Sequence, residues 1–432
     1  MGLNSNEIIG EYIKNVCSLV KNKDAHEEIK LELENHILEL SDELISEGTK
    51  ESEATEKAIA QMGDATVVGS QLNKAHKGNP DWTLLIITLL LSGFGLLSMY
   101  FIKISGLASE EVFYKNLGYF VIGIAIVTGI YFFDYRKLRK YSKYIYIVTL
   151  FFAMLAAFTG PQSNGRIHLS LFFTVWNFLD LSVFILIISS CGIFSDWDFS
   201  KLENKLKGIG LLALPLLLIA SAPSVSACAI YVISFIVLLF GSKANYKYIL
   251  LIVCALFGLS FFFVLSEPYR ISRMLTFVNP QKDPQGAGYL IIQVKKLLIG
   301  AGFFGKGLTL TRQALPEPHT DLIFAYIIYT FGWFAGLSIV ALASAFIVRI
   351  ISLATSVKDT YGKLLIKGIA AIFAVEFSWN ILMVLGFAPL VGMSLPFISY
   401  GGSQFIMNMI AIGLISSVYK RRTLTVSVRA DN

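Results

Sequence analysis

Two neighbouring stretches hold residue types that could do chemistry together. In Leu315-Pro316-Glu317-Pro318-His319-Thr320-Asp321, two carboxylates and an imidazole stand directly before the apolar run opening Leu322-Ile323-Phe324-Ala325. At a helix start Asp321 suits an N-cap, held by backbone N–H groups and the positive end of the dipole. An acid, a histidine and a second acid at a membrane boundary also suit general-base work on a hydroxyl. Just upstream, Gly300-Ala301-Gly302-Phe303-Phe304-Gly305-Lys306-Gly307 nearly fits a nucleotide loop. It fails at Gly307, which lacks the metal-holding hydroxyl, and no strand precedes it. Such a loop could still cradle a lipid pyrophosphate through its N–H groups, with Lys306 as a point charge; the alternative is a plain flexible loop with an interfacial lysine.

Arg166, Arg270 and Arg273 are further boundary charges, suited to bidentate phosphate binding or to headgroup snorkelling. Asp180 and Glu376 fall inside apolar runs, where an ionisable group is costly enough to be functional by default. The histidines, His26, His36, His76, His168 and His319, show no ligand spacing, and no Cys/His cluster exists. A dedicated structural metal is not expected, and Cys17, Cys191, Cys228 and Cys254 form no disulfide framework.

These residues must be positioned by a membrane domain. The chain of 432 residues is 55% hydrophobic and 15% charged, well below the roughly 25% charge of soluble domains. Ten apolar runs, near 82–102, 114–133, 144–160, 174–194, 209–222, 226–241, 249–266, 321–348, 365–386 and 403–419, approach the ~20 residues needed to cross a bilayer. Lys/Arg clusters follow every second run (Arg136–Lys143, Lys201–Lys207, Lys243–Lys247, Arg349–Lys363, Lys420–Arg422), which puts both termini inside. Residues 267–320 then form a large outer loop, with an amphipathic stretch at Tyr289–Ile299 suited to the interface. Basic residues scattered among short loops beside spans argue against a nucleic-acid partner.

Residues 1–80 differ in kind, with 15 Asp and Glu against 8 Lys. No secretory signal peptide is expected, because the first long apolar run starts only at Trp82. Ile29, Leu33, Ile37, Leu40 and Leu44 mark an amphipathic helix. Thr49 is expected to cap a second helix, and a third follows Gly63-Asp64, near Ala65–Lys74. The reading is therefore all-α: a cytosolic bundle of three or four helices over 1–78 and a ten-helix membrane domain over 79–432. The first resembles the prefix domain found before some bacterial permeases and anti-sigma proteins, an interaction module or an inert solubilising prefix.

The membrane part resembles the shape, elongation, division and sporulation family, which includes RodA, FtsW and SpoVE. The likeness rests on "LGFAPLVGMSLPFISYGGSQFIMNMIAIGLISSV" (385–418), in which Gly386, Pro389, Gly392, Leu395, Pro396, Phe397, Ser399, Tyr400, Gly401, Gly402 and Ser403 match, as does Asn380 just before it. "LPEPHTDLIFA" (315–325), "PYRISRM" (268–274), "NPQKDPQGAGY" (279–289), "GAGFFGKGL" (300–308) and "DYRKLRKYSKYIY" (134–146) add to it. The resemblance implies a peptidoglycan glycosyltransferase that polymerises lipid II, an undecaprenyl-linked precursor, at the outer face of the bacterial cytoplasmic membrane. It implies Asp321 as the catalytic acid, with Arg166, Asp180, Arg270, Arg273, Lys306, Glu317, His319, Asn380, Ser399, Tyr400, Gly401, Gly402 and Ser403 around the substrate. It also implies a divalent cation, Mg or Mn, as a candidate aid to the leaving pyrophosphate, and a class B penicillin-binding transpeptidase as partner.

The chain departs from the family pattern at four places. Asp180 and Val183 stand for a Glu and a Lys; Ser224 replaces an acid; Tyr329-Thr330 replaces a Glu pair; and no tryptophan accompanies Gly165-Arg166-Ile167-His168. A non-catalytic scaffold and a lipid-precursor flippase are the rival readings.

Overall fold

A computed structural model describes residues 5–75, 78–159, 162–163, 166–171, 174–221, 224–265, 268–286 and 288–423, with backbone alone at 24, 157–180, 221, 260–270 and 273. Two compact units result: Met1–Pro80 with Ser356–Asp359 and Val418–Asn432, and Asp81–Thr355 with Thr360–Ser417.

The first unit holds α1 (Ser5–Leu19), α2 (His26–Ser46), α3 (Glu51–Met62) and α4 (Ala65–Ala75). Ile9, Ile13 and Val16 of α1 meet Ile29, Leu33 and Ile37 of α2 and Ala58 of α3 in one core, the i, i+4, i+7 stripe expected of amphipathic helices. The Tyr12 hydroxyl donates to the Gly63 carbonyl at 3.0 Å and ties α1 to the α3–α4 turn. Thr49 does not cap α3: the cap position falls on Lys50 and carries no side-chain bond. Asp64 does serve α4, accepting from Thr66 N at 2.7 Å.

In the second unit, α5 (Trp82–Ile104), α6 (Glu110–Phe132) and α7 (Arg136–Thr159) precede a short antiparallel sheet of β1 (Gln162–Ser163), β2 (Arg166–Leu171) and β3 (Thr174–Asn177). Then come α8 (Phe178–Ser195), α9 (Leu202–Ser221), α10 (Val225–Gly241) and α11 (Tyr246–Leu265). The long connection after α11 carries α12 (Pro268–Val278) and α13 (Tyr289–Gly300), followed by α14 (Ile323–Ser356), α15 (Thr360–Leu385) and α16 (Gly402–Lys420). The apolar runs lie in helices, except that the fourth begins in β3, and among the described residues five helices are long and apolar enough to cross a bilayer by length and composition. Among the described residues the architecture is all-α apart from these three strands, of which sequence reading merges only β3 into the fourth run and leaves β1 and β2 between runs. The signal of β2 was alternation, with Ile167, Leu169 and Leu171 apolar at every second position.

Local chemistry explains the helix ends and breaks. Asp81 accepts from Leu84 N at 2.8 Å to cap α5 and also receives Arg349 Nε at 3.1 Å. Pro215 inside α9 cannot donate to the carbonyl four residues back, and that carbonyl, Leu211 O, instead accepts the hydroxyls of Tyr146 and Tyr231, each at 2.6 Å. Ser224, one of the departures, caps α10 by accepting from Ala227 N at 3.4 Å. Helices α8, α10 and α15 pack on one another at the centre, with Phe346, Phe373 and Phe377 fully buried beneath the outer loops.

Helix α14 is two helices. Gly332 has φ 88° and ψ 172°, so a nine-residue segment, buried at Ile323–Ile328, ends at Phe331 and a second helix runs from Trp333 to Ser356. The run expected at 321–348 is broken where only glycine adopts the backbone required.

Candidate functional site

Asp321 lies just outside the first half of α14: Leu322 O accepts the first helical bond, from Tyr326 N at 3.1 Å, which puts Asp321 one residue before the cap position. What places it is a row of three consecutive carbonyls, each bound from elsewhere. His319 O accepts from Tyr400 N at 2.8 Å, Thr320 O from Ser399 Oγ at 2.9 Å, and Asp321 O from Asn380 Nδ2 at 2.9 Å. Asn380, fully buried, donates also to Met393 O at 2.6 Å. Ser399 Oγ in turn accepts from Leu395 N at 2.8 Å. Asn380 and Ser399, expected to touch substrate, therefore hold the backbone that presents Asp321, because buried carbonyls must find donors. The His319 ring meets Tyr400 edge-on at 5.6 Å between centroids.

The 386–401 loop is itself pinned. Phe397, at φ 64°, sends its ring between Phe346 and Phe373, 5.4 Å from each centroid; burial of that ring offsets the unfavourable left-handed backbone. Gly402 leaves room for the Tyr119 ring, whose nearest atom lies 2.3 Å from where a Cβ would be. Its role, too, is close packing.

The glycine-rich loop closes a break in α14. Lys306 N and Gly307 N donate to Tyr329 O (2.8 Å) and Thr330 O (3.1 Å), the last carbonyls of the first half-helix. Trp333 N and Phe334 N, the first donors of the second, reach Gly302 O (3.1 Å) and Phe303 O (3.2 Å). A helix end leaves such groups open, and at membrane depth they must be satisfied by protein. Two of the loop's amides are thus taken up by the helix break, and the Lys306 side chain is exposed. Tyr329 also meets Thr309, hydroxyl to hydroxyl at 3.1 Å.

Asp321 opens on a cavity of about 130 Å³, with Thr320, Ser399, Tyr400, Gly401 and Ser403 among its lining residues. The wall continues along α16 through Gln404, Met407 and Asn408. A smaller cavity of about 20 Å³ beyond it adds Val183, Ala227 and Glu376. Glu376 Oε1 accepts from Gln404 Nε2 at 2.7 Å, a partner the sequence did not disclose. Gln404 and Asn408 were missed altogether; two amides four residues apart inside an apolar run were the available signal. Burial lowers the His319 pKa while Glu317 opposes the shift, so the imidazole is biased to its neutral form, with Nδ1 buried and unbonded among the described residues. Glu317 is exposed, at φ 45°. Arg166 on β2, Asp180 in α8 and Arg270 and Arg273 on α12 have side chains outside the described residues. Among the described residues no three His, Cys, Asp or Glu gather, and no step is assigned to a metal.

A family model described as "Cell cycle protein", covering FtsW, RodA and SpoVE, matches residues 81–424. The chain belongs to the FtsW/RodA/SpoVE family. Stage V sporulation protein E of Bacillus subtilis is 30% identical over 79% of this chain and 97% of its own length. Peptidoglycan glycosyltransferase MrdB of Escherichia coli K12 is 28% identical, over 80% and 94%. The fold matches a chain from a structure titled "Structural coordination of polymerization and crosslinking by a peptidoglycan synthase complex" (TM-score 0.70, 21% identity, 80% of this chain, 99% of that one). It also matches rod shape determining protein RodA of Thermus thermophilus (TM-score 0.61, 18% identity, 80% and 98%). As a member of this family, the chain is a multi-pass membrane protein with the all-α fold.

Proposed function

We propose that the protein is a peptidoglycan glycosyltransferase that polymerises lipid II at the outer face of the bacterial cytoplasmic membrane. The observation that carries the reading is Asp321, whose own carbonyl and the two before it are anchored by Asn380, Ser399 and Tyr400 and which lines a cavity. A general base must be held still within reach of the proton it takes. The Asp321 carboxylate removes the proton from an acceptor sugar hydroxyl as that oxygen attacks the donor's anomeric carbon. The bond from that carbon to the pyrophosphate oxygen breaks, and undecaprenyl pyrophosphate leaves. Exposed Lys306 is a candidate for the departing charge. Support comes from relatives named as peptidoglycan glycosyltransferases. A class B penicillin-binding transpeptidase is the proposed partner, both termini are cytoplasmic, and the acidic prefix is the proposed interaction module.

The decisive experiment is incorporation of labelled lipid II into glycan by purified protein, with and without a transpeptidase. Asp321→Asn should lower the rate by about 10²–10⁴ while leaving the protein folded and inserted. A rate within about threefold of the unmodified protein would refute the base assignment, since asparagine keeps the size of the side chain and the anchored carbonyl but cannot take up the proton. Glu376→Gln should have the smaller effect.

A further inference from the structure

The cavity under Asp321 is lined by two amides of α16, Gln404 and Asn408, whose hydrogen bonding is incomplete in complementary senses. Gln404 spends its Nε2 on Glu376, which leaves Oε1, an acceptor, as the group it offers. Asn408 is 3% exposed, and its Nδ2 is buried without an acceptor among the described residues, a costly state for a donor. Residues four apart on a helix lie on one face, about 6 Å apart along the axis. Gln404 lies in the first turn, beside the Tyr400–Ser403 rim; Asn408 lies one turn further in.

A trans secondary amide points its N–H and its C=O in opposite directions. Lying along α16, it would donate to Gln404 and accept from Asn408, with its methyl against Leu181, Phe405 or Met407, which line the same cavity. Size agrees. A cavity of ~150 Å³ holds benzene, so about 130 Å³ admits a substituent of a few heavy atoms. We propose that this cavity is a subsite for the N-acetyl group of an amino sugar, read by Gln404 and Asn408, with Glu376 as a positioning residue. A carboxylate only accepts, so Glu376 takes the Gln404 nitrogen and leaves the oxygen for the ligand. The inference rests on the glycosyltransferase reading, which supplies the amino-sugar substrate.

The test uses full-length protein in nanodiscs and two ligands: the lipid-linked disaccharide with its acetamido groups, and the same compound with hydroxyls in their place. Binding and polymerisation of both are measured. The unmodified protein should bind the hydroxyl compound about tenfold more weakly, the worth of one buried hydrogen bond. That ratio should shrink below about threefold in Asn408→Leu and Gln404→Leu. Glu376→Gln, whose amide can accept from the Gln404 nitrogen or donate to its oxygen, should raise KM with kcat unchanged, a split that a packing role would not produce. Equal binding of the two ligands by the unmodified protein overturns the inference without recourse to any variant, as does an undiminished ratio in Asn408→Leu. Polymerisation without acetamido discrimination would sink the subsite alone; discrimination in binding without polymerisation would sink the transferase reading alone.

Discussion

Replacing Gly332 by alanine should do more damage than any other glycine change in the outer loop region. At φ 88° and ψ 172° the backbone occupies a region essentially reserved for glycine, at a cost of about 1–3 kcal/mol for another residue. A Cβ there would sit 2.0 Å from Phe303 O and 2.5 Å from Gly305 N. Both are backbone atoms, so no side chain can swing away. The loop must retreat, and with it go the four hydrogen bonds joining residues 302–307 to 329–334, each worth roughly 0.5–1.5 kcal/mol. The sum, about 3–9 kcal/mol, is comparable to the whole stability of many domains. Gly307 is the control: it is also left-handed, at φ 67°, but its Cβ would meet nothing within 4 Å, so Gly307→Ala should cost only about 1–2 kcal/mol. Thermal melts of the purified proteins, with lipid II polymerisation alongside, compare the two. If Gly332→Ala melted no lower than Gly307→Ala, the account of the loop as a clamp on a broken helix would be wrong.

Asn380→Leu should cost on the order of 2–4 kcal/mol by orphaning two buried carbonyls and should lower kcat more than it raises KM; full activity would show that Asp321 needs no such anchor. Burial holds His319 below its usual pKa, so the unfolded chain takes up the proton first as pH falls below about 6.5. Stability is therefore complete above that pH and declines below it, and melts taken from roughly pH 7.5 to 5 should lose this acid-side decline in His319→Gln. Asp283→Cys, in a background without native cysteines, should react with an impermeant thiol reagent on intact cells; reaction only after lysis would invert the proposed topology.

Much of this was legible in the residues. Runs of apolar side chains report helices directly, and the acid at 321 and the Ser399–Ser403 strip were rightly grouped, for they line one cavity. What hydropathy could not report is backbone direction. Gly332 sits inside an unbroken apolar run, so its left-handed turn left no trace except a glycine in Tyr329-Thr330-Phe331-Gly332-Trp333. The loop at 300–307 was left open between cradle and plain loop for the same reason: glycines chosen for close backbone approach look alike whether the approaching group is a phosphate or a carbonyl. Asn380 and Ser399 were expected to touch substrate and both donate to main-chain carbonyls, since sequence does not distinguish a side chain facing ligand from one facing its own main chain.

The order of synthesis gives the carbonyl anchor a second meaning. Residues 302–307 leave the ribosome before the break at Gly332 that they clamp, so that junction can close as soon as it enters the bilayer. Asp321 has to wait. The donors to Asp321 O and Thr320 O lie 59 and 79 residues downstream, on the penultimate long helix and the loop after it. Because chains assemble from the N-terminus as they are made, a growing or prematurely ended chain carries Asp321, the proposed base, on an unsecured segment. Competence to join sugars arises only once nearly every span has been inserted, which keeps half-built copies from acting on precursor.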